Sequence, residues 1–224
     1  VALAFQACDD DDNKTATISK RELVGTWEYE DDYDGGTITF YSNDTGVDCA
    51  GWGYNAEYYM FPDAGGSFGN VTLSRLPVNG KGKIKFDQSA NLAIYTDHKV
   101  GERRFRVYNC HFESYSISMS GILRAIAGRD RAVFAETGNK MKRSITRRPK
   151  QVDQVFSHIE DCPIESFVCG DFNDNPMSYT YYRMTRGRND AFVEAGDGFG
   201  ATFATMWPVL RIDYVLAPEV FKVV

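Results

Sequence analysis

The stretch Phe167-Val168-Cys169-Gly170-Asp171-Phe172-Asn173-Asp174-Asn175-Pro176 constrains this chain more than any other. An apolar run of the kind that fills a buried strand stops at a glycine, and four short polar side chains follow within five positions. In an extended chain residues two apart point the same way, so Asp171 and Asn173 share a face. Asp174, Asn175 and Pro176 read as an Asx-type turn that caps the next helix. The spacing predicts a buried strand over 165–172, with a carboxylate and an amide at its far end.

Further strands are expected over 71–76, 92–100, 104–112 and 211–217, where apolar and β-branched or aromatic residues cluster between turn signals. Gly101, in Lys-Val-Gly-Glu-Arg-Arg, marks a tight turn that pairs the second and third of these as a hairpin. A helix is expected over 148–160, with Pro149 in its first turn and Val152, Val155, Phe156 and Ile159 at helical spacing. A second helix is expected to start within 178–185. Strands alternating with helical segments indicate an α/β domain. No run of 18 or so apolar residues is present, so no membrane-spanning helix is encoded.

Two more strand ends carry polar groups. His111 falls late in the apolar strand containing Val107-Tyr108-Asn109-Cys110, and Asp213 lies within Arg211-Ile212-Asp213-Tyr214-Val215-Leu216. A carboxylate, an amide and an imidazole at one sheet edge form a hydrolytic arrangement. The carboxylate can orient or deprotonate water, the amide can fix that water or a phosphate oxygen, and the imidazole can stabilise charge on a phosphoryl group.

The words GDFNDNPMSYTY, NCHFES, GNVTLSRLPV, GATFA and RIDYVL together resemble the endonuclease/exonuclease/phosphatase superfamily over residues 51–224. The resemblance implies a two-sheet β-sandwich flanked by helices, here partial, and a phosphoester hydrolase that uses Mg²⁺ or Mn²⁺. It implies that Asp171 activates water, that Asn173 holds the nucleophile or phosphate, and that His111 bonds the scissile phosphate. Asp213 would orient a second histidine. Asp171 and Asn173 would ligate the metal, and Asn70, Arg75 and Arg211 would contact phosphate or substrate. The substrate would be a nucleic acid, a phospholipid head group or a sugar phosphate, and no obligate protein partner is implied. The family's metal-binding glutamate and its terminal Ser-Asp-His are not identified here, so the chain alone is expected to have little hydrolytic activity.

The front of the chain has a different texture. Residues 1–63 carry 14 acidic and 3 basic side chains, a net of −11, whereas residues 64–224 carry 17 acidic and 22 basic, a net of +5. The apolar opening, Gln6-Ala7-Cys8 and the run Asp9–Asp12 resemble a bacterial lipoprotein signal and acidic tether, with Cys8 lipidated and the protein anchored in the cell envelope. Residues 1–20 would then be signal remnant and tether. Residues 21–50 resemble the first hairpin of a lipocalin-like domain and are expected as a short antiparallel β appendage. The competing function is a non-catalytic, lipid-anchored surface lipoprotein that binds a ligand or partner.

Several residues are expected to have no role in chemistry. Cys110 and Cys169 read as small buried residues. Glu113 is expected to face solvent, His98 and His158 to lie on the surface, and Tyr179, Tyr181 and Tyr182 to pack. The basic run Lys140, Lys142, Arg143, Arg147, Arg148 and Lys150 could steer an anion, but reads first as a solvated surface.

Overall fold

A computed structural model describes residues 3–6, 25–30, 35–40, 47–48, 55–63, 66–115, 131–203 and 210–223. The fold is mixed α/β, with a six-stranded sheet and few helices. The described residues up to Asn109 form one compact unit and those from Cys110 onward form the other.

In the first unit, strand β1 (Leu3–Gln6) pairs antiparallel with β6 (Gly66–Ser74), which also forms a hairpin with β5 (Asn55–Asp63). Residues expected to be signal remnant thus form a strand, with Leu3 opposite Leu73 and Gln6 opposite Asn70. Cys8 lies outside the described residues. Strands β2 (Gly25–Glu30), β3 (Gly35–Phe40) and β4 (Val47–Asp48) form a separate antiparallel sheet, the hairpin expected within 21–50. The six-stranded sheet contains β7 (Gly80–Lys85), β8 (Leu92–Val100), β9 (Arg103–His111), β10 (Glu165–Asp171), β11 (Arg188–Asp190) and β12 (Asp213–Pro218), in the order β11-β12-β10-β9-β8-β7.

The turn between β8 and β9 forms as expected, with Gly101 at φ +58°, a left-handed conformation suited to glycine. Across it, Arg106 donates to both carboxylate oxygens of Asp97 at 2.6 and 2.9 Å and stacks on Tyr95. His98 is buried, contrary to the surface position expected, with its ring nitrogens 3.0 Å from the Pro77 carbonyl and 2.9 Å from Thr96 Oγ1.

The helices among the described residues belong to the second unit: α1 (Arg131–Glu160), α2 (Tyr179–Met184) and α3 (Ala191–Ala195). Helix α1 begins 17 residues before the expected start, so Pro149 is interior rather than in the first turn. The reason is that the inward face of its first part is polar. Ser144, Arg148 and Gln151 are buried there and continue into Val152, Val155, Phe156 and Ile159 at helical spacing. A search for apolar periodicity finds only the second part.

Candidate active site

Three segments of the second unit share one pattern, in which a polar residue precedes a buried aromatic ring: His111-Phe112, Asp171-Phe172 and Asp213-Tyr214. Phe112 and Phe172 are fully buried, Tyr214 almost so, and each burial stabilises the fold by roughly 2–3 kcal/mol. Phe172 meets Phe112 with ring centroids 5.4 Å apart and Tyr214 at 4.8 Å, and Tyr214 in turn meets Tyr181 at 5.1 Å. Because side chains alternate along extended chain, packing these rings on one side brings their neighbours together on the other.

Backbone bonds fix that convergence. The Phe112 N–H donates to the Asp171 carbonyl at 3.1 Å, and the Phe172 N–H donates to the Ile212 carbonyl at 2.8 Å. Strands β10 and β12 are antiparallel with Asp171 directly opposite Asp213, which sets their Cα atoms about 5 Å apart. The approach of β9 to β10 requires Gly170: its φ is +126°, and a Cβ there would lie 2.1 Å from the Cys110 carbonyl oxygen.

At the end of β10, the Asp171 carboxylate accepts the Asn173 N–H at 2.6 Å, an Asx-type turn that holds Asn173 at φ +50°. Asn173 Nδ2 donates to the Phe112 carbonyl at 3.0 Å, and among the described residues its Oδ1 has no partner. Thus His111, Asp171, Asn173 and Asp213 are brought within one hydrogen bond or one register step of each other's segments. His111 is deeply buried, and burial lowers its imidazole to about 4 against an opposing pull from Glu113, so the ring is neutral at pH 7. Burial raises the Asp213 carboxyl above its ordinary value, and a bond from Thr202 partly offsets this.

The expected turn residues divide their tasks. Asn175 Oδ1 accepts the Met177 N–H at 2.8 Å, whereas the cap of α2 is Ser178, whose hydroxyl accepts the Tyr181 N–H at 3.2 Å. Asp174 turns inward, pairing with the buried Arg148 at 2.9 Å and accepting the Thr180 hydroxyl at 2.8 Å. Glu113, expected in solvent, is buried: Arg143, Arg147 and Gln151 donate to its carboxylate, and Gln151 Oε1 accepts its N–H at 2.7 Å. Arg148 Nε donates to the Glu113 carbonyl at 2.8 Å. The sequence signal for this network was the Ser144, Arg148, Gln151 spacing on one helix face, which apolar patterning ignores.

Of the three residues expected at phosphate, Arg211 lies in the second unit. Arg211 directs both terminal nitrogens to Asp190, at 2.9 and 2.7 Å, in a buried pair packed near Tyr181, Phe192 and Tyr214. Burial would raise the Asp190 carboxyl, but Arg211 and Tyr181 hold it below its ordinary value. Asn70 and Arg75 belong to the first unit. Asn70 is a buried tie, with Nδ2 donating to the carbonyls of Leu92 at 3.3 Å and Asn109 at 3.0 Å, and Arg75 is exposed. Cys110 and Cys169 are buried, and burial pushes the Cys169 thiol up to about 12, which makes it inert. Of the tyrosines expected to pack, Tyr181 does so, while Tyr179 and Tyr182 are exposed.

The sequence model of the Endonuclease/Exonuclease/phosphatase family matches residues 3–224, well beyond the 51–224 carried by the motifs. Comparison with curated protein sequences finds no match. Among solved structures, the chain resembles the human Nocturnin catalytic domain with bound sulfate at 16% identity and a TM-score of 0.49, covering 75% of this chain and 61% of that one. It resembles an endonuclease/exonuclease/phosphatase family protein from Bacteroides thetaiotaomicron at 13% identity and 0.46, covering 73% and 61%. It resembles sphingomyelinase C from Streptomyces griseocarneus at 18% identity and 0.46, covering 71% and 56%. The chain therefore spans less than two thirds of each of these proteins.

Proposed function

Given that this chain belongs to the Endonuclease/Exonuclease/phosphatase family, whose members act on phosphoesters, we propose that His111, Asp171, Asn173 and Asp213 form a phosphoester-hydrolysing site that works with a divalent cation. The observation that carries this reading is the bonded convergence of residues 111–113, 171–173 and 212–213 on one side of the aromatic row.

Asp171, fixed by the Asn173 N–H, orients and deprotonates the attacking water. Asn173 is anchored through its Nδ2 on Phe112, so its position costs little to hold when substrate binds. His111 is uncharged at neutral pH and acts as a neutral N–H donor to a phosphoryl oxygen. Asp213 retains its proton to higher pH than an ordinary carboxyl, which eases the placing of two acids opposite each other.

The donors present fit a hard cation. A carboxylate and an amide oxygen are among the ligands Mg²⁺ or Mn²⁺ prefer, and Mg²⁺ is commonly held by one or two carboxylates with substrate phosphate and water filling the rest. Among the described residues no group of three or more His, Cys, Asp or Glu is placed to hold a metal ion, so any ion here would rest on fewer protein ligands. Asp171 and Asn173 would hold the ion, which when bound neutralises charge developing on phosphate oxygens.

Titration with Mn²⁺, followed by calorimetry, tests the reading. Binding is expected in the wild-type chain and is expected to weaken at least tenfold in Asp171→Ala and Asn173→Ala. Binding that neither substitution alters would overturn the assignment. Turnover of an aryl phosphodiester by this chain alone is expected to be slow, because the described partner of Asp213 is Thr202 rather than a histidine. Fast turnover that Asp171→Ala abolishes would show that Thr202 suffices.

A further inference from the structure

We propose that Arg143, clamped by Glu113 beside this site, forms a second anion subsite, so that the preferred substrate is a phosphoester carrying a further phosphate group. The inference rests on the reading of His111 and Asn173 as phosphate-handling residues.

Glu113 lies two residues beyond His111, close enough for its charge to act on the imidazole. Its carboxylate is only 7% exposed. Burying a carboxylate costs several kcal/mol unless it is paired, and one cation would suffice to neutralise it. Here two guanidinium groups converge on the same oxygen, Arg143 Nε at 3.0 Å and Arg147 Nη1 at 3.4 Å, and Gln151 Nε2 donates to the other at 3.3 Å. Two cations thus face one carboxylate within the cluster. Lys142 and Lys150 lie exposed on the same helix and add to it.

Arg143 is held in an unusual way for a surface arginine. Its side chain is 58% exposed, yet its Nε is bound to a buried carboxylate. Among the described residues neither terminal nitrogen has a bond. The next residue, Ser144, donates its hydroxyl to the Ser114 carbonyl at 2.5 Å, which fixes this turn of α1 against the segment leaving β9. A guanidinium fork held by its Nε and open at its two terminal nitrogens is set for bidentate contact with a phosphate. Because Glu113 and Ser144 already restrict it, little rotamer freedom is lost on binding.

The test measures affinity by calorimetry, with Mn²⁺ present, for two matched pairs of probes. One pair is a thymidine dinucleotide with and without a 5′-phosphate, and the other is inositol 1,4-bisphosphate and inositol 1-phosphate. The extra phosphate is expected to tighten binding by about fivefold or more in one pair, and that pair identifies the source of the substrate. Arg143→Gln should erase the advantage and leave the singly charged probe unchanged, Arg143→Lys should restore part of it, and Lys222→Gln should do nothing. Equal affinities within both pairs, or an advantage that survives Arg143→Gln, overturn the proposal while the primary site stands. If the singly charged probe binds Asn173→Ala as well as wild type, the primary reading fails and the second subsite falls with it. Absence of binding by every probe sinks both.

Discussion

Gly170 and Asn173 are the two residues whose backbones leave ordinary extended geometry at the end of β10, and each has a distinct cause. At Gly170 the constraint is space: any side chain meets the Cys110 carbonyl oxygen as well as an unfavourable φ. Gly170→Ala is expected to lower stability by about 3 kcal/mol or more, read by urea denaturation. A loss below about 0.5 kcal/mol would mean that β9 and β10 are not packed this closely. At Asn173 the constraint is local, since the Asp171 carboxylate supports the left-handed turn through the Asn173 N–H. At this scale the sequence was legible where chemistry and local geometry coincide, as in Gly170-Asp171-Phe172-Asn173. It was illegible where a residue's partner lies far along the chain. Nothing near Arg211 announces Asp190, and nothing near Glu113 announces Arg143, Arg147 and Gln151.

Among the elements, α1 does most to hold the candidate site together. Its buried Arg148 reaches both the Glu113 carbonyl and the Asp174 carboxylate, so one side chain ties the segment after His111 to the turn after Asn173. Removing one partner of a buried ion pair costs about 3–5 kcal/mol, because the other charge is left uncompensated. Arg148→Met is therefore expected to lower stability by about that amount, with Arg147→Gln, at a more exposed position, costing under about 1 kcal/mol. Equal losses in the two variants would show that Arg148 has no special place. Strands β8, β9, β10 and β12 were readable as elements from their apolar runs, whereas β7 and the short β11 were not, and the convergence of three polar-aromatic pairs follows from β9, β10 and β12. The first part of α1 was not readable, since its inward residues are Ser144 and Arg148 rather than aliphatic ones. Hydrogen-bonding side chains can fill a buried helix face as well as apolar ones, and they leave no hydropathy signal.

For the molecule as a whole, His111 makes stability depend on pH. Its imidazole sits at about 4 when folded against 6.5 for the free group, so between those values the unfolded chain binds more protons. The stabilisation is complete above about pH 6.5 and is lost progressively as pH falls toward 4, by on the order of 3 kcal/mol. Asp213, raised by burial, slopes the other way above its ordinary value near 3.8, so the comparison that isolates His111 is wild type against His111→Gln. Chemical denaturation from pH 4 to 7 should show a steeper loss in wild type, and parallel curves would overturn this assignment. Pro149 carries a different consequence. With no N–H of its own and a ring that crowds the carbonyl four residues back, it interrupts the ladder within a 30-residue helix. The residues before it are held by Ser144, Arg148 and charged contacts, and those after it by Val152, Val155, Phe156 and Ile159 in the core. Amide exchange should therefore proceed in two stages, the leading portion opening in a partial, sub-global event while the trailing portion waits for complete unfolding.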